Sequence, residues 1–271
     1  MRGRVTVTIR DDLLRSLDRM VDGLSIRSRS QAMEFVLSKQ LSEFRVGSAL
    51  ILAGGPRKRL MIGKKPRFLA NIAGKPLIER VIENLANENI ANFTVYSDSF
   101  ADEIRNSLEK GGLPYNISFL RGEKSTGTVE PLLKAKSRLK ETFLVAYGDT
   151  ICRFNLSDMV AFHRENNSAA TIALTTVSNP KDFGVAVMEG SRIVEFEEKP
   201  RKGASSYQVN AGYFLFEPSV LKHIEPGMKN LERDLFPKLA EKGLLYGYPF
   251  RGMYLNVNTK RDIERAKVLL K

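Results

Sequence analysis

With 271 residues, 42% hydrophobic and 27% charged, the chain has globular composition and length for one or two domains of about 150 residues; its net charge of +12 favours polyanionic partners. One cysteine, Cys152, and two histidines exclude an intrachain disulfide, a cysteine metal cage and a histidine-rich zinc site. No apolar run nears the roughly 18 residues of a membrane span, and MRGRVTVTIRDD has no apolar signal core, so a soluble, cytoplasmic protein is expected.

Arg4 to Arg10 alternates, with Val5, Val7 and Ile9 on one face and Arg4, Thr6, Thr8 and Arg10 on the other, which predicts a strand. Asp11-Asp12 opens a helix with Leu13, Leu14, Leu17, Met20, Val21 and Leu24 at helical spacing, and Gly23 is placed as a C-cap. Ser28-Arg29-Ser30-Gln31 fits a capping box for a second helix, whose apolar face reads Ala32, Met33, Val36, Leu37, Leu41 and Phe44. A lone strand leaves both edges unpaired, and forty-five residues make a thin core. Both problems are solved if two copies pair their strands and interlock their helices.

The β-α-α pattern and the run R-x-T-x-T before an acidic helix start resemble the ribbon-helix-helix (CopG/Arc-type) DNA-binding family over residues 2–45. The resemblance implies a dimer whose paired strands enter the major groove of double-stranded DNA, with Arg4, Thr6 and Thr8 reading base edges. Ser28, Arg29 and Ser30, at the second helix's start, would meet a phosphate. A dimerisation clip without DNA is the plainer alternative, since an outward Thr-x-Thr is also good strand chemistry. Nine bases against six acids over residues 1–46 is a modest charge for DNA binding.

From Gly47, an apolar run enters Ala53-Gly54-Gly55, followed by a loop with Arg57, Lys58, Arg59, Lys64, Lys65 and Arg67 and no acid. Glycines after a strand let backbone amides approach a ligand, and their position directly before the basic run favours a phosphate cradle over a merely solvated loop. Phe93–Tyr96, Ile117–Leu120 and Phe143–Tyr147 read as strands, with a helix at Asp102–Glu109 between the first two. That alternation predicts a Rossmann-like doubly wound α/β domain over residues 47–271, with a mostly parallel sheet and ligands at the strands' carboxyl ends. Gly148-Asp149 stands at one such end, where it is either a turn or a site for magnesium bridging phosphates. Helices are expected at Leu235–Glu241 and Thr259–Leu270; Cys152 reads as a buried apolar residue and Lys134 to Lys140 as a solvated helix face.

Leu52-Ala53-Gly54-Gly55, Arg59-Leu60, Pro66, Leu69, Gly74-Lys75-Pro76-Leu77, Gly148-Asp149, Glu197-Glu198-Lys199-Pro200 and Val209-Asn210-Ala211-Gly212-Tyr213 together resemble the sugar-1-phosphate nucleotidyltransferase family. The resemblance implies that a nucleoside triphosphate and a sugar 1-phosphate are joined with magnesium and pyrophosphate is released. It places base and phosphates on Leu52 to Arg59, with Gly127 and Thr128 near the base and Asp149 on the metal. Arg59 and Arg67 would stabilise transferring charge, and Glu198, Lys199, Asn210 and Gly212 would hold the sugar phosphate. The plainer reading of Glu198-Lys199 is an exposed ion pair.

Three departures from the family stand out: Arg57-Lys58 replaces Gly-Thr, Arg67 replaces a lysine, and Asn256 replaces the second metal-binding aspartate. Losing one preorganised electrostatic group typically costs about 10² to 10³ in rate, so binding is expected to survive better than catalysis, although magnesium can manage with one carboxylate, here Asp149, plus substrate phosphates. The first expectation is therefore a dimeric DNA-binding regulator whose second domain senses a nucleotide, sugar phosphate or nucleotide sugar. The alternative is an active magnesium-dependent nucleotidyltransferase whose front domain dimerises it or regulates its own synthesis.

Overall fold

The computed structural model describes residues 5–23, 25–43, 46–123, 127–201 and 203–270. The chain divides into two compact units, Met1–Arg45 and Val46–Lys271.

In the first unit, α1 (Asp11–Met20) packs on α2 (Arg29–Glu43). The acids Asp11 and Asp12 occupy α1's first turn, while Arg10 before it is extended and gives no side-chain cap. Gly23 adopts φ +74°, three residues beyond the helix rather than against it. Ser28 Oγ accepts the Gln31 N–H at 3.2 Å, but the Gln31 side chain returns to the Arg27 N–H, so only half of the expected capping box forms. Residues 5–10 carry no strand, because a strand exists only by pairing and the single chain offers this segment no ladder. Arg4, Leu24 and Phe44 lie outside the described residues.

The second unit runs β1 (Ser48–Leu52), α3 (Arg57–Leu60), the two-residue pairs β2 (Met61–Ile62) with β3 (Lys65–Pro66) and β4 (Asn71–Ile72) with β5 (Lys75–Pro76), then α4 (Leu77–Ala86). It continues through β6 (Asn92–Ser97), α5 (Ala101–Gly111), β7 (Asn116–Arg121), α6 (Glu130–Ala135), β8 (Phe143–Tyr147), β9 (Thr150–Arg153) and α7 (Leu156–Glu165). β10 (Ala170–Thr176), β11 (Gly184–Glu189), β12 (Arg192–Glu198) and β13 (Gln208–Phe216) follow, then α8 (Phe236–Glu241), β14 (Leu245–Pro249), β15 (Met253–Asn256) and α9 (Lys260–Leu269).

Among the described residues, nine strands form one sheet in the order β10-β14-β12-β11-β13-β8-β1-β6-β7. β1 lies parallel to β6 and β8, and β6 parallel to β7, as expected for strands joined by helical crossovers. The other half corrects the mostly parallel expectation. β13 runs antiparallel to β8, β10 and β11, and β11–β12 is a hairpin turning at Gly190. The sheet is mixed: β1, β6, β7 and β8 run parallel, and the remaining pairings are antiparallel except β10–β14, which is parallel.

Both faces of the sheet are covered. Along β1, Ala49 and Ile51 join a core with Ile78, Val81 and Ile82 of α4, while Leu50 and Leu52 join one with Phe143, Phe214 and Phe236. This is why β1 reads as an unbroken apolar run rather than an alternation. Cys152 is buried, its thiol pushed up by burial and set against the Ala211 carbonyl at 3.4 Å, so it is a packing residue. Among the described residues no helix is long and apolar enough to cross a membrane.

Candidate functional site

β1, β6 and β8 end side by side at Leu52, Ser97 and Tyr147, and past their carboxyl ends opens a cleft of about 500 Å³. Leu52, Gly54, Gly55, Arg59, Arg67, Thr128, Asp149, Glu198, Lys199, Asn210, Gly212 and Asn256 all face it. An adjoining chamber of about 340 Å³ shares the glycine turn, Arg59 and Thr128 and adds Gly127, Tyr96 and Asn230. Residues spread over 200 positions of sequence thus meet around one space, where doubly wound sheets place ligands.

Three expected ligand contacts lie elsewhere. Ala53 is fully buried beneath the turn. Arg57 stacks its guanidinium over the Phe100 ring, 4.4 Å from the centroid, and donates to the Ser99 carbonyl. Lys58 is exposed and lines neither chamber.

The glycine turn has a partner that sequence reasoning missed. Gly55 adopts φ +138°, a conformation open in practice only to glycine, and a Cβ on Gly54 would meet the Tyr96 ring at 2.9 Å. The Gly55 N–H donates to both carboxylate oxygens of Asp98, at 3.0 and 3.1 Å, and Ser99 Oγ donates to the Gly55 carbonyl at 2.8 Å. A carboxylate therefore holds the turn's amide in the way that an anionic ligand does.

At the opposite wall, Arg67 Nη1 donates to Asp149 Oδ2 at 2.9 Å and also to Asn258 Oδ1, while Nη2 donates to the Arg59 carbonyl. Its Nε–H is buried with no acceptor among the described residues. Asn258 Nδ2 donates in turn to Asn256 Oδ1 at 2.7 Å, and the Val257 N–H donates to the Asp149 carbonyl at 2.9 Å. Burial pushes the Asp149 carboxyl up, and its pairing with Arg67 pulls it back down.

A resident magnesium ion does not fit this donor set. Asp149 is its one carboxylate, already paired with a guanidinium, and Asn256 and Asn258 are neutral amides hydrogen-bonded to each other. Among the described residues no three His, Cys, Asp or Glu side chains cluster to hold a metal. Asp149 and Asn256 are brought together, since Asn256 pairs with Thr150 in register, but into an arginine-centred network.

Across the cleft, Asn210 is buried and its Oδ1 accepts the Gly212 N–H at 2.7 Å. Gly212 adopts φ +78° and its missing Cβ leaves room for the Tyr147 ring. Glu198 is largely buried and burial raises its carboxyl, with Lys199 Nζ 3.8 Å away easing that rise. Lys199 takes φ +56° in front of Pro200, strain of the kind that clusters at functional sites. Thr128 is locked by accepting the Leu231 N–H at 2.8 Å and donating to Glu232 at 3.0 Å; burial raises the Glu232 carboxyl.

Residues 48–268 match the sequence profile of the nucleotidyl transferase family. The mannose-1-phosphate guanylyltransferase catalytic subunit beta of Danio rerio is 32% identical over 225 residues, 79% of this chain and 62% of that protein. Its namesake from Dictyostelium discoideum is 31% identical over 223 residues, with 79% and 62% covered. The chain thus spans about 62% of the length of these relatives. HddC from Yersinia pseudotuberculosis superposes with a TM-score of 0.72 at 21% identity, covering 83% of this chain and 100% of that one. Its structure complexed with GMP-PN gives a TM-score of 0.71, 21% identity and the same coverage, and both show the shared fold. Given the profile match over most of its length, the chain belongs to the nucleotidyl transferase family.

Proposed function

We propose that residues 46–271 transfer a nucleotidyl group from a nucleoside triphosphate to a sugar 1-phosphate, releasing pyrophosphate. The observation that carries this reading is a single cleft joining the Gly54-Gly55 turn and Arg59 to the Glu198-Lys199 and Asn210–Gly212 shelf, two halves suited to two phosphorylated substrates. In the step, an oxygen of the sugar's phosphate bonds to the α-phosphorus, the bond from that phosphorus to the bridging oxygen breaks, and pyrophosphate leaves. Phosphoryl transfer relies on positioning and charge stabilisation. Arg59 meets the triphosphate beside the glycine turn, and Arg67 adds positive charge between the two halves. Lys199 neutralises the sugar phosphate, and Glu198 accepts from sugar hydroxyls. Thr128, fixed by Glu232, and Gly127 line the chamber left for the base.

Guanine and mannose are the first pair to test, because the relatives above are named for them. Purified chain should release pyrophosphate fastest with GTP and mannose 1-phosphate in a panel of triphosphates and sugar phosphates. Arg59→Ala should lower that rate by about 10²- to 10³-fold. No pyrophosphate from any pair would overturn transfer as the function.

A second reading concerns the first unit and is favoured by its exposed apolar surface. Val5 and Val7 are 82% and 54% exposed, and Ile9, Leu13, Leu17, Met20, Met33, Val36 and Leu37 line an almost wholly apolar groove of about 350 Å³. We propose that a second copy covers this face, pairing the two 5–10 segments as strands and making a ribbon-helix-helix grip on double-stranded DNA. Thr6 and Thr8 are exposed as base reading requires. Ser28 and Ser30 are also exposed, whereas Arg29 is held by Asp18, its Nη2 2.8 Å from Oδ2, and reaches a phosphate only by leaving that pair. On this reading the first unit dimerises the enzyme and lets it regulate transcription.

A further inference from the structure

Sugar-1-phosphate nucleotidyltransferases typically work with magnesium, yet the Asp149 network is built around a guanidinium. Arg67 and Asp149 are only 14% and 17% exposed at their side chains, so the pair is largely shielded from solvent screening. Arg67 is further fixed by Asn258 and the Arg59 carbonyl. A divalent cation at Asp149 would have to displace a delocalised cation held at several points. Besides the triphosphate's own oxygens it would gain from the chain one carboxylate and neutral amides, the fewest charged ligands on which such a site is built. Asn in place of Asp at position 256 removes the charge that would make the exchange favourable. Arginine in place of lysine keeps the positive charge and adds a planar fork that grips Asp149, while Asn256 has lost a carboxylate that would draw a metal ion.

We propose that Arg67 is a built-in replacement for the divalent cation, so that this chain binds its triphosphate without metal. The inference rests on the nucleotide-binding reading above. Arginine suits the role because its planar fork grips carboxylate and phosphate alike and keeps its charge at every accessible pH. In the bound state the guanidinium stays on Asp149 and presents its remaining N–H groups to the triphosphate.

The test uses the full chain, wild type and Arg67→Ala, with two readouts. Calorimetry with GTP is run in excess magnesium and in EDTA. Manganese binding, with and without GTP, is followed by electron paramagnetic resonance. Wild-type affinity for GTP should differ less than threefold between magnesium and EDTA, and manganese should show no site broken by Asp149→Asn. Arg67→Ala should bind manganese at Asp149 and lose at least tenfold in GTP affinity when EDTA replaces magnesium. A tenfold loss in EDTA for the wild-type chain, or a manganese site there that Asp149→Asn abolishes, would overturn the proposal. If GTP and other triphosphates fail to bind under either condition, the nucleotide reading falls. The manganese titrations of the two proteins then still decide whether Arg67 blocks the cation position.

Discussion

At the scale of single residues, the glycine turn shows how a local signature and a distant partner divide the work. Gly54 and Gly55 are there for close approach, but the amide they expose is held by Asp98, 43 residues away. If phosphate binds at this turn, as proposed, a fixed carboxylate beside the turn repels it. Two unit charges roughly 8 Å apart at an effective dielectric constant near 40 interact by about 1 kcal/mol. Asp98→Asn keeps an acceptor for the Gly55 N–H and removes the charge. It should therefore tighten triphosphate binding about fivefold in calorimetry at low salt, with the gain shrinking as salt screens it. Unchanged affinity would mean that the phosphates bind away from this turn. Asp98, Glu232 and Asn258 were not legible beforehand because each acts through a partner far along the chain: Glu232 meets Thr128 across 104 residues and Asn258 meets Arg67 across 191. Gly54 and Gly55 were readable from close approach and Gly148-Asp149 as a strand end, turn or metal site, whereas Glu198-Lys199 entered through the family resemblance alone.

Elements show the same division between local and distant signals. β1 and β8 were readable as apolar runs because both faces of the sheet are covered there, and β6 and β7 as short stretches rich in aromatic and β-branched residues, β7 at the sheet edge. The antiparallel half escaped. β12, Arg-Ile-Val-Glu-Phe-Glu-Glu, buries only Ile193 and Phe196 fully, and a strand so charged carries little apolar signal. The bounds of α8 and α9 were legible, unlike the caps expected for α1 and α2, and the start of α9 supports the site. Thr259 caps α9 in a reciprocal box with Asp262, whose Oδ2 accepts the Thr259 N–H at 2.8 Å and the Asn258 N–H at 3.1 Å. Thr259→Ala should cost about 1 kcal/mol, read as a fall of roughly 2–4 °C in Tm. The same carboxylate orients Asn258, which holds Arg67, so the variant should also weaken triphosphate binding. A Tm loss with unaltered binding would show that α9's cap acts on stability alone.

For the whole molecule, the decisive question is why a nucleotidyltransferase domain follows a unit that cannot bury its own apolar surface. Leu13, Val36 and Leu37 are 48%, 39% and 54% exposed in the single chain. Burying a side chain of this size contributes about 1.5–3 kcal/mol, and a two-fold interface counts each residue twice. Such an interface offsets part of what ordering the 5–10 segments costs, at about 1–2 kcal/mol per residue, and the strand ladder forms only with the partner present, so dimerisation and strand formation are expected to be one event. Light scattering should give a dimer at micromolar concentration. Leu13→Asp with Leu37→Asp should yield a monomer that still binds triphosphate with wild-type affinity, because the substitutions lie in the first unit. A DNA-reading dimer predicts more: binding to sequence upstream of its own gene that weakens as salt rises, since phosphate contacts release counterions. The monomeric variant should lose that binding entirely, and Thr6→Ala in the dimer should weaken the preferred site while leaving binding to unrelated DNA unchanged. A dimer that ignores DNA at low salt would reduce the first unit to a clip for the enzyme, and a wild-type monomer would remove both roles.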